Sequence, residues 1–305
     1  MLRFFAKRLG WAVLTLFLVV SFVFFLARLT GDPVRLMLPQ QATQEDVERV
    51  RDALGLNRPL EAQYLSFVGG VLQGNFGDSI RQNRPALDMI LERLPATLEL
   101  AVISFAVGFT LAMSLAVAGE VSGSRRLRNF MLWVATARQA IPPYLFGILL
   151  VLIFAVHFGL VPALGRSDWT SYLLPVATIS TFEIALYLRL INSSFDQMRS
   201  SDWVRTARAK GVSRARIVFR HMLPNALLPV VTIAGINLGV LIGGLVVLEM
   251  VFNWPGMGRL IVQGVTTRDY PLVQAGVLMI AFIFVLINLI VDLLYAVLDP
   301  RVRLA

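Results

Sequence analysis

The chain has 305 residues, 57% of them hydrophobic and 15% Asp, Glu, Lys or Arg, with a net charge of +9 and no cysteine. Soluble domains carry about 25% charged residues, and a soluble fold of this length cannot cover so much apolar surface, so the composition specifies a polytopic membrane protein. The missing thiols exclude disulfides, thiol catalysis and thiolate metal sites.

A helix crosses a bilayer in about 20 mostly apolar residues. Six stretches qualify: 9–29, 97–118, 130–156, 172–191, 226–250 and 272–298. The expected class is all-α integral membrane, with segments 1–29 (N-terminus and first span), 30–96 (long outer loop), 97–298 (five-helix core) and 299–305 (tail). The first apolar run follows Arg3, Lys7 and Arg8. It is longer than a secretory signal core and no small-residue cleavage site follows, so it reads as a retained span.

In the outer loop, Thr43 to Asp46 has a capping-box pattern. Val47, Val50 and Leu54 then recur on one face, and Gly55 is a C-terminal stop. Tyr64, Phe67, Val68, Val71 and Leu72 form a second amphipathic piece. This loop is either a surface for a partner or a lid on the protein's own outer face.

The second span carries Glu99 near one end, within reach of an interface or partner. In the third, Arg138 and Gln139 precede Pro142 and Pro143, a proline pair that kinks the helix. Glu183 lies mid-span in the fourth. Intramembrane charges are costly and need partners; Arg138 and Glu183 are candidates for a buried pair, structural or pore-lining. Asn237 and Asn288 read as interhelical hydrogen-bond glue. Gly235, Gly239, Gly243 and Gly244 offer a close-packing face in the fifth span. Trp254 to Gly258 reads as a turn or a partial re-entrant segment, with the turn preferred, and Asp292 lies near a span end. His157 and His221 are far apart along the chain, so no histidine metal site is expected.

Between the fourth and fifth spans runs DWVRTARAKGVSRARIVFRHMLP, residues 202–224. Ser201 or Asp202 caps a helix there. Gly211 fits its C-terminal turn with positive φ. Ser213 caps a second helix, with Ile217, Val218 and Leu223 on its apolar side, and Pro224 hands over to the fifth span. Small residues at the turn let another backbone approach, and the arginines supply directional donors. The segment is a solvated basic loop, a nucleic-acid site or a docking element. The last fits best, because no nucleic-acid recognition fold is present.

Lys and Arg counts set the orientation. With the N-terminus inside, segments 1–8, 119–129, 192–225 and 299–305 hold 3, 3, 7 and 2 of them, against 1 and 2 in the short outer loops 157–171 and 251–271. Both termini and the basic segment are then cytoplasmic.

That basic segment resembles the cytoplasmic EAA loop of binding-protein-dependent ABC importer permeases, here over 199–224. Ala207, Gly211, Leu223 and Pro224 match the general pattern, while Arg205 and His221 stand where it has Glu and Ile. The dipeptide/oligopeptide/nickel group is closer. Its version resembles WVRTARAKG and NALLP as they stand at 203–211 and 225–229, and LARLTGDPV, ALGLNRPLEAQYLSFV, GNFGDS, ERLPATLELA and LEMVFNWPGMGRLIVQGVTTRDYPLVQAG also resemble that group.

The resemblance implies a channel-forming subunit of an importer for dipeptides or oligopeptides, or for nickel, glutathione or another small solute. It implies a second homologous permease subunit, two ABC ATPases that bind ATP and Mg, and an extracytoplasmic substrate-binding protein. Arg205, Thr206, Ala207, Arg208, Ala209, Lys210 and Gly211, with Leu223 and Pro224, would form the ATPase-coupling loop. Arg138, Gln139, Glu183 and Asn237 are the candidate pathway or buried polar residues. The chain lacks a phosphate-binding Gly-x4-Gly-Lys loop, and its only lysines are Lys7 and Lys210, so it is expected to be non-catalytic and cofactor-free. A secondary transporter is the alternative, but the long outer loop has no counterpart after the fourth span, against an inverted repeat.

Overall fold

The computed structural model describes residues 2–29, 43–53 and 55–298, with Val34, Leu38 and Gln41. The Thr30–Pro33 part of the N-terminal motif and the tail 299–305 lie outside the described residues. Every helix or strand assigned among the described residues is a helix: α1 (Leu2–Leu29), α2 (Gln44–Ala53), α3 (Leu60–Leu72), α4 (Ala86–Ser122), α5 (Arg125–Gln139), α6 (Pro143–Leu150), α7 (Leu173–Arg199), α8 (Asp202–Ala209), α9 (Arg214–Ile217), α10 (Leu223–Val251), α11 (Met257–Thr267) and α12 (Tyr270–Leu298). Five are long and apolar enough to cross a membrane, and the pair α5 and α6 makes a sixth if its two arms count as one span. The helices exceed their apolar runs. At about 1.5 Å per residue, the 37 residues of α4 outrun a hydrocarbon core of roughly 30 Å, so part of α4 stands outside it.

The chain forms two compact units, one of residues 1–97 and 255–289, the other of 98–254 and 290–305. In the first, α1 is apolar nearly all round, and Trp11, Phe17, Leu18 and Phe22 stand exposed, as a lipid-facing helix requires. Phe24 is its buried anchor. Tyr64 meets that ring edge-on at 5.3 Å and Arg28 lies 3.9 Å over its face. The Tyr64 hydroxyl lies 2.7 Å from Ser21 Oγ. Helix α3 thus lies on the protein's own first span. In α2 the capping box forms as read: Asp46 N–H donates to Thr43 Oγ1 at 3.2 Å and Thr43 N–H to Asp46 Oδ2 at 3.1 Å. Helix α11 begins within the Trp254 to Gly258 stretch, where the sequence offers a turn or a partial re-entrant segment, and it carries the chain on as a helix beyond the preferred turn.

In the second unit the core gathers Ala112 and Ala116 of α4, Ala135 of α5, Tyr187, Leu188, Ile191 and Phe195 of α7, and Ala226 and Val230 of α10. The third span departs from expectation. It is no kinked helix but two helices meeting at 93°. Pro142 and Pro143 lack N–H groups, so the carbonyls four residues earlier lose their donors and the chain can leave helical geometry there. The second arm continues through a π turn, Val151–His157.

Candidate functional site

Loop 199–224 starts from α8. Val204 is buried in the core and Ala207 packs against it, while Arg205, Thr206, Arg208, Ala209 and Lys210 are exposed. The helix ends at Gly211, with φ of 74°. Gly211 N–H donates to Arg208 O at 2.9 Å and Val212 N–H to Ala207 O at 3.1 Å. These two bonds are a Schellman motif, which needs the left-handed residue. A Cβ on Gly211 would meet nothing within 4 Å, so its outer side is open.

Two expectations for this loop are corrected. Ser201 and Ser213 stand at N-cap positions, but neither side chain accepts a cap bond. Ser201 Oγ instead donates back to Met198 O at 2.6 Å. Helix α9 is no separate piece either. It runs through a π turn, Val218–Met222, into α10. Pro224 has no N–H for the turn before it, and the wider π turn accommodates that loss. Leu223 is half-buried and Pro224 is exposed in the first turn of α10.

The feature that anchors this loop escaped the sequence reading. Glu120, near the C-terminus of α4, is 1% exposed. Arg199, at the end of α7, donates Nε to both of its carboxylate oxygens at 3.1 and 3.0 Å. Arg214, at the start of α9, donates Nε to the Glu120 carbonyl at 2.6 Å and Nη2 to its carboxylate at 3.4 Å. One acid thus ties down both ends of the α8 excursion, and it lines a cavity of about 310 Å³ together with Arg208, Val212 and Ile217. The signal in the sequence was a lone acid closing an apolar run, AVAGEVSG.

The membrane residues sort differently from the expected pair. Arg138 lies in the last turn of α5, beside the break between the two arms. It donates to Thr181 Oγ1, Ile141 O and Thr178 O, each at 3.0 Å, and lies 3.7 Å over the Phe146 ring. The guanidinium is thus engaged by one hydroxyl and two carbonyls beside the 93° break, and no ion pair joins it to Glu183 among the described residues. Gln139 accepts from Arg189. Glu183 accepts from Asn237 Nδ2 at 2.5 Å, and Asn237 also donates to the Tyr187 hydroxyl at 2.9 Å. Asn237 therefore bridges α10 to α7, as expected of glue, whereas Asn288 bonds Phe284 O in its own helix. A Cβ on Gly108 would lie 2.9 Å from Glu183 Cβ and 3.1 Å from Ser180 O; only glycine lets α4 approach there. Glu183 and Asn237 line a second cavity of about 310 Å³ with Tyr144, Phe182, Val240 and Gly244.

Of the remaining polar groups, Glu99 pairs with Arg166 at 2.5 Å and accepts from the Tyr172 hydroxyl at 2.8 Å. In the first unit Asp269, 1% exposed, accepts from Ser79 Oγ at 2.5 Å and Ile80 N–H at 3.2 Å. No cluster of three or more metal-ligating side chains occurs among the described residues.

Residues 108–304 match the family described as "Binding-protein-dependent transport system inner membrane component", and residues 1–101 match its N-terminal companion, "Binding-prot-dependent transport system membrane comp, N-term". The glutathione transport system permease proteins GsiC of Escherichia coli (strain K12), Shigella flexneri serotype 5b and Salmonella paratyphi A are each 40% identical to this chain over 304 residues, covering 99% of both. Among solved structures, a chain of the MetNI methionine ABC transporter in inward-facing conformations is similar with a TM-score of 0.55 at 18% identity, over 69% of this chain and 96% of that one.

Proposed function

The chain belongs to the binding-protein-dependent ABC importer permeases of the dipeptide/oligopeptide/nickel family, multi-pass proteins of the inner membrane, and on that premise we propose that it forms half of an import pathway for short peptides. Glutathione, itself a tripeptide, is the first solute to test, because the relatives above are glutathione permeases. Its partners are a second homologous permease subunit, two cytoplasmic ATPases that hold ATP and Mg, and an external binding protein. This chain does not hydrolyse ATP. Its termini and loop 199–224 face the cytoplasm, in line with the Lys and Arg bias.

The observation that carries the reading is the exposed α8 turn held rigidly by Glu120. Arg205, Thr206, Arg208, Ala209 and Lys210 offer donors and small side chains to an ATPase groove, and Gly211 lets its backbone approach. Leu223 and Pro224 lead the movement into α10. When the ATPases close, a loop clamped to the ends of α4 and α7 carries α8's displacement into those helices, since packed helices move as rigid elements.

The test separates docking from folding. Gly211→Ala and Gly211→Arg carry the same positive-φ strain, roughly 1–2 kcal/mol, and a Cβ at Gly211 would meet nothing within 4 Å. Only arginine adds bulk toward a partner. In proteoliposomes with all partners, Gly211→Arg is expected to lower glutathione uptake at least tenfold at normal membrane levels, with Gly211→Ala near wild type. Normal uptake by Gly211→Arg would sink the assignment.

A further inference from the structure

One buried acid in the membrane part has no counter-ion among the described residues. Glu183 is 4% exposed, and its hydrogen bonds come from the neutral Asn237 and Tyr187 side chains. Arg138, the nearest expectation for a partner, is engaged by Thr181, Ile141 and Thr178. No ion pair reaches the Glu183 carboxylate among the described residues. A negative charge so placed is costly, and either a proton or a cation that joins it relieves the cost.

That carboxylate is not sealed in. With Asn237 it lines the cavity of about 310 Å³ whose other walls are mostly apolar, among them Tyr144, Phe182, Val240 and Leu248. The volume lies at the lower end of the roughly 300–1,000 Å³ of small-molecule sites. An apolar cavity with one convergent charge selects by that charge. A hard divalent cation needs about six oxygen ligands, and one carboxylate beside one amide cannot supply them. An organic ammonium needs one charge partner, a few acceptors and apolar walls for the carbon attached to it.

We propose that Glu183 is the counter-ion for the free amino group of the solute in transit, and that this cavity is a transient subsite for it. The inference rests on the peptide reading above and adds which end of the peptide this chain contacts. Tyr187 and Asn237 hold the carboxylate in one orientation. Because they are neutral, the ammonium is bound weakly enough to leave, as a conducting site requires.

The assay uses the whole complex with its binding protein in proteoliposomes. Glu183→Gln keeps the acceptor for Asn237 and removes the charge. It is expected to lower glutathione uptake about tenfold while assembly and binding-protein-stimulated ATP hydrolysis stay within twofold. In parallel, wild-type complex is treated with dicyclohexylcarbodiimide and labelling of Glu183 is followed by mass spectrometry. Millimolar glutathione should slow that labelling at least fivefold, and glutathione with its amino group acetylated should not. If Glu183→Gln fails to assemble, the protection assay decides alone. Unchanged uptake, equal protection by both forms, or no labelling of Glu183 overturns the subsite. A wild-type complex that imports neither glutathione nor alanylalanine sinks the peptide reading itself, an outcome distinct from the others.

Discussion

At the residue scale, one carboxylate decides where the exposed loop sits. Glu120 is buried, whereas Arg214 is nearly half exposed. Removing one partner of a buried pair costs about 3–5 kcal/mol, and solvent at Arg214 places Glu120→Ala toward the lower figure. The purified complex should lose several degrees of thermal midpoint, and uptake should fall more than ATP hydrolysis does. Glu120→Asp should recover part of both; equal loss of uptake and hydrolysis in every variant would make Glu120 a plain stability residue. A second prediction concerns Asp46. The Thr43 hydroxyl, then the Thr43 N–H, hold its carboxyl below the ordinary value. A depressed carboxylate stabilises the fold above the unfolded pKa, near 3.9, and that contribution is lost as pH falls through the folded pKa. Amide exchange in α2, corrected for intrinsic rates, should therefore speed up below about pH 4, and Thr43→Ala should remove the effect. Thr43 and Asp46 were readable because a capping box is a pattern four residues long. Glu120 was not, because Arg199 and Arg214 lie 79 and 94 positions away.

At the element scale, helix approach is set by glycine and helix breaks by proline. Gly108 has backbone of α7 within 3.1 Å of where a Cβ would stand, while Gly244 has nothing within 4 Å. Overpacking costs about 1–3 kcal/mol, so Gly108→Val should lower the yield and thermal midpoint of the complex, and Gly244→Val should leave both near wild type. An equal effect at the two sites would show that α4 does not need its close contact with α7. The proline pair marked the interruption of the third span but not its 93° angle. That angle depends on what packs across the break, where the Arg138 guanidinium bonds Ile141 O just beyond it and Thr178 O of α7. The extent of helix α11 was not legible because its eleven residues are too few to read as a span.

At the scale of the whole molecule, orientation is the feature to test first, and the chain suits the test because it contains no cysteine. A single cysteine at Arg58 should react with an impermeant maleimide in cells whose outer membrane has been permeabilised. One at Lys210 should react only after the inner membrane is opened. The reverse pattern would invert the topology and remove the ATPase-docking role of α8.

Composition and local spacing by themselves determined the membrane class, the positions of the apolar runs, the α2 cap, the Gly211 turn and the family resemblance. Each depends on residues within a few turns of one another, or on the length an apolar run needs to cross lipid. Only the tertiary structure decided the charge pairing. Arg138 and Glu183 looked complementary as types, yet the guanidinium beside the break at two prolines bonds carbonyls, and the carboxylate is left to Asn237 and Tyr187. Opposite charges attract over a few ångströms, and which of them come that close is set by helix packing between segments that the chain itself keeps far apart.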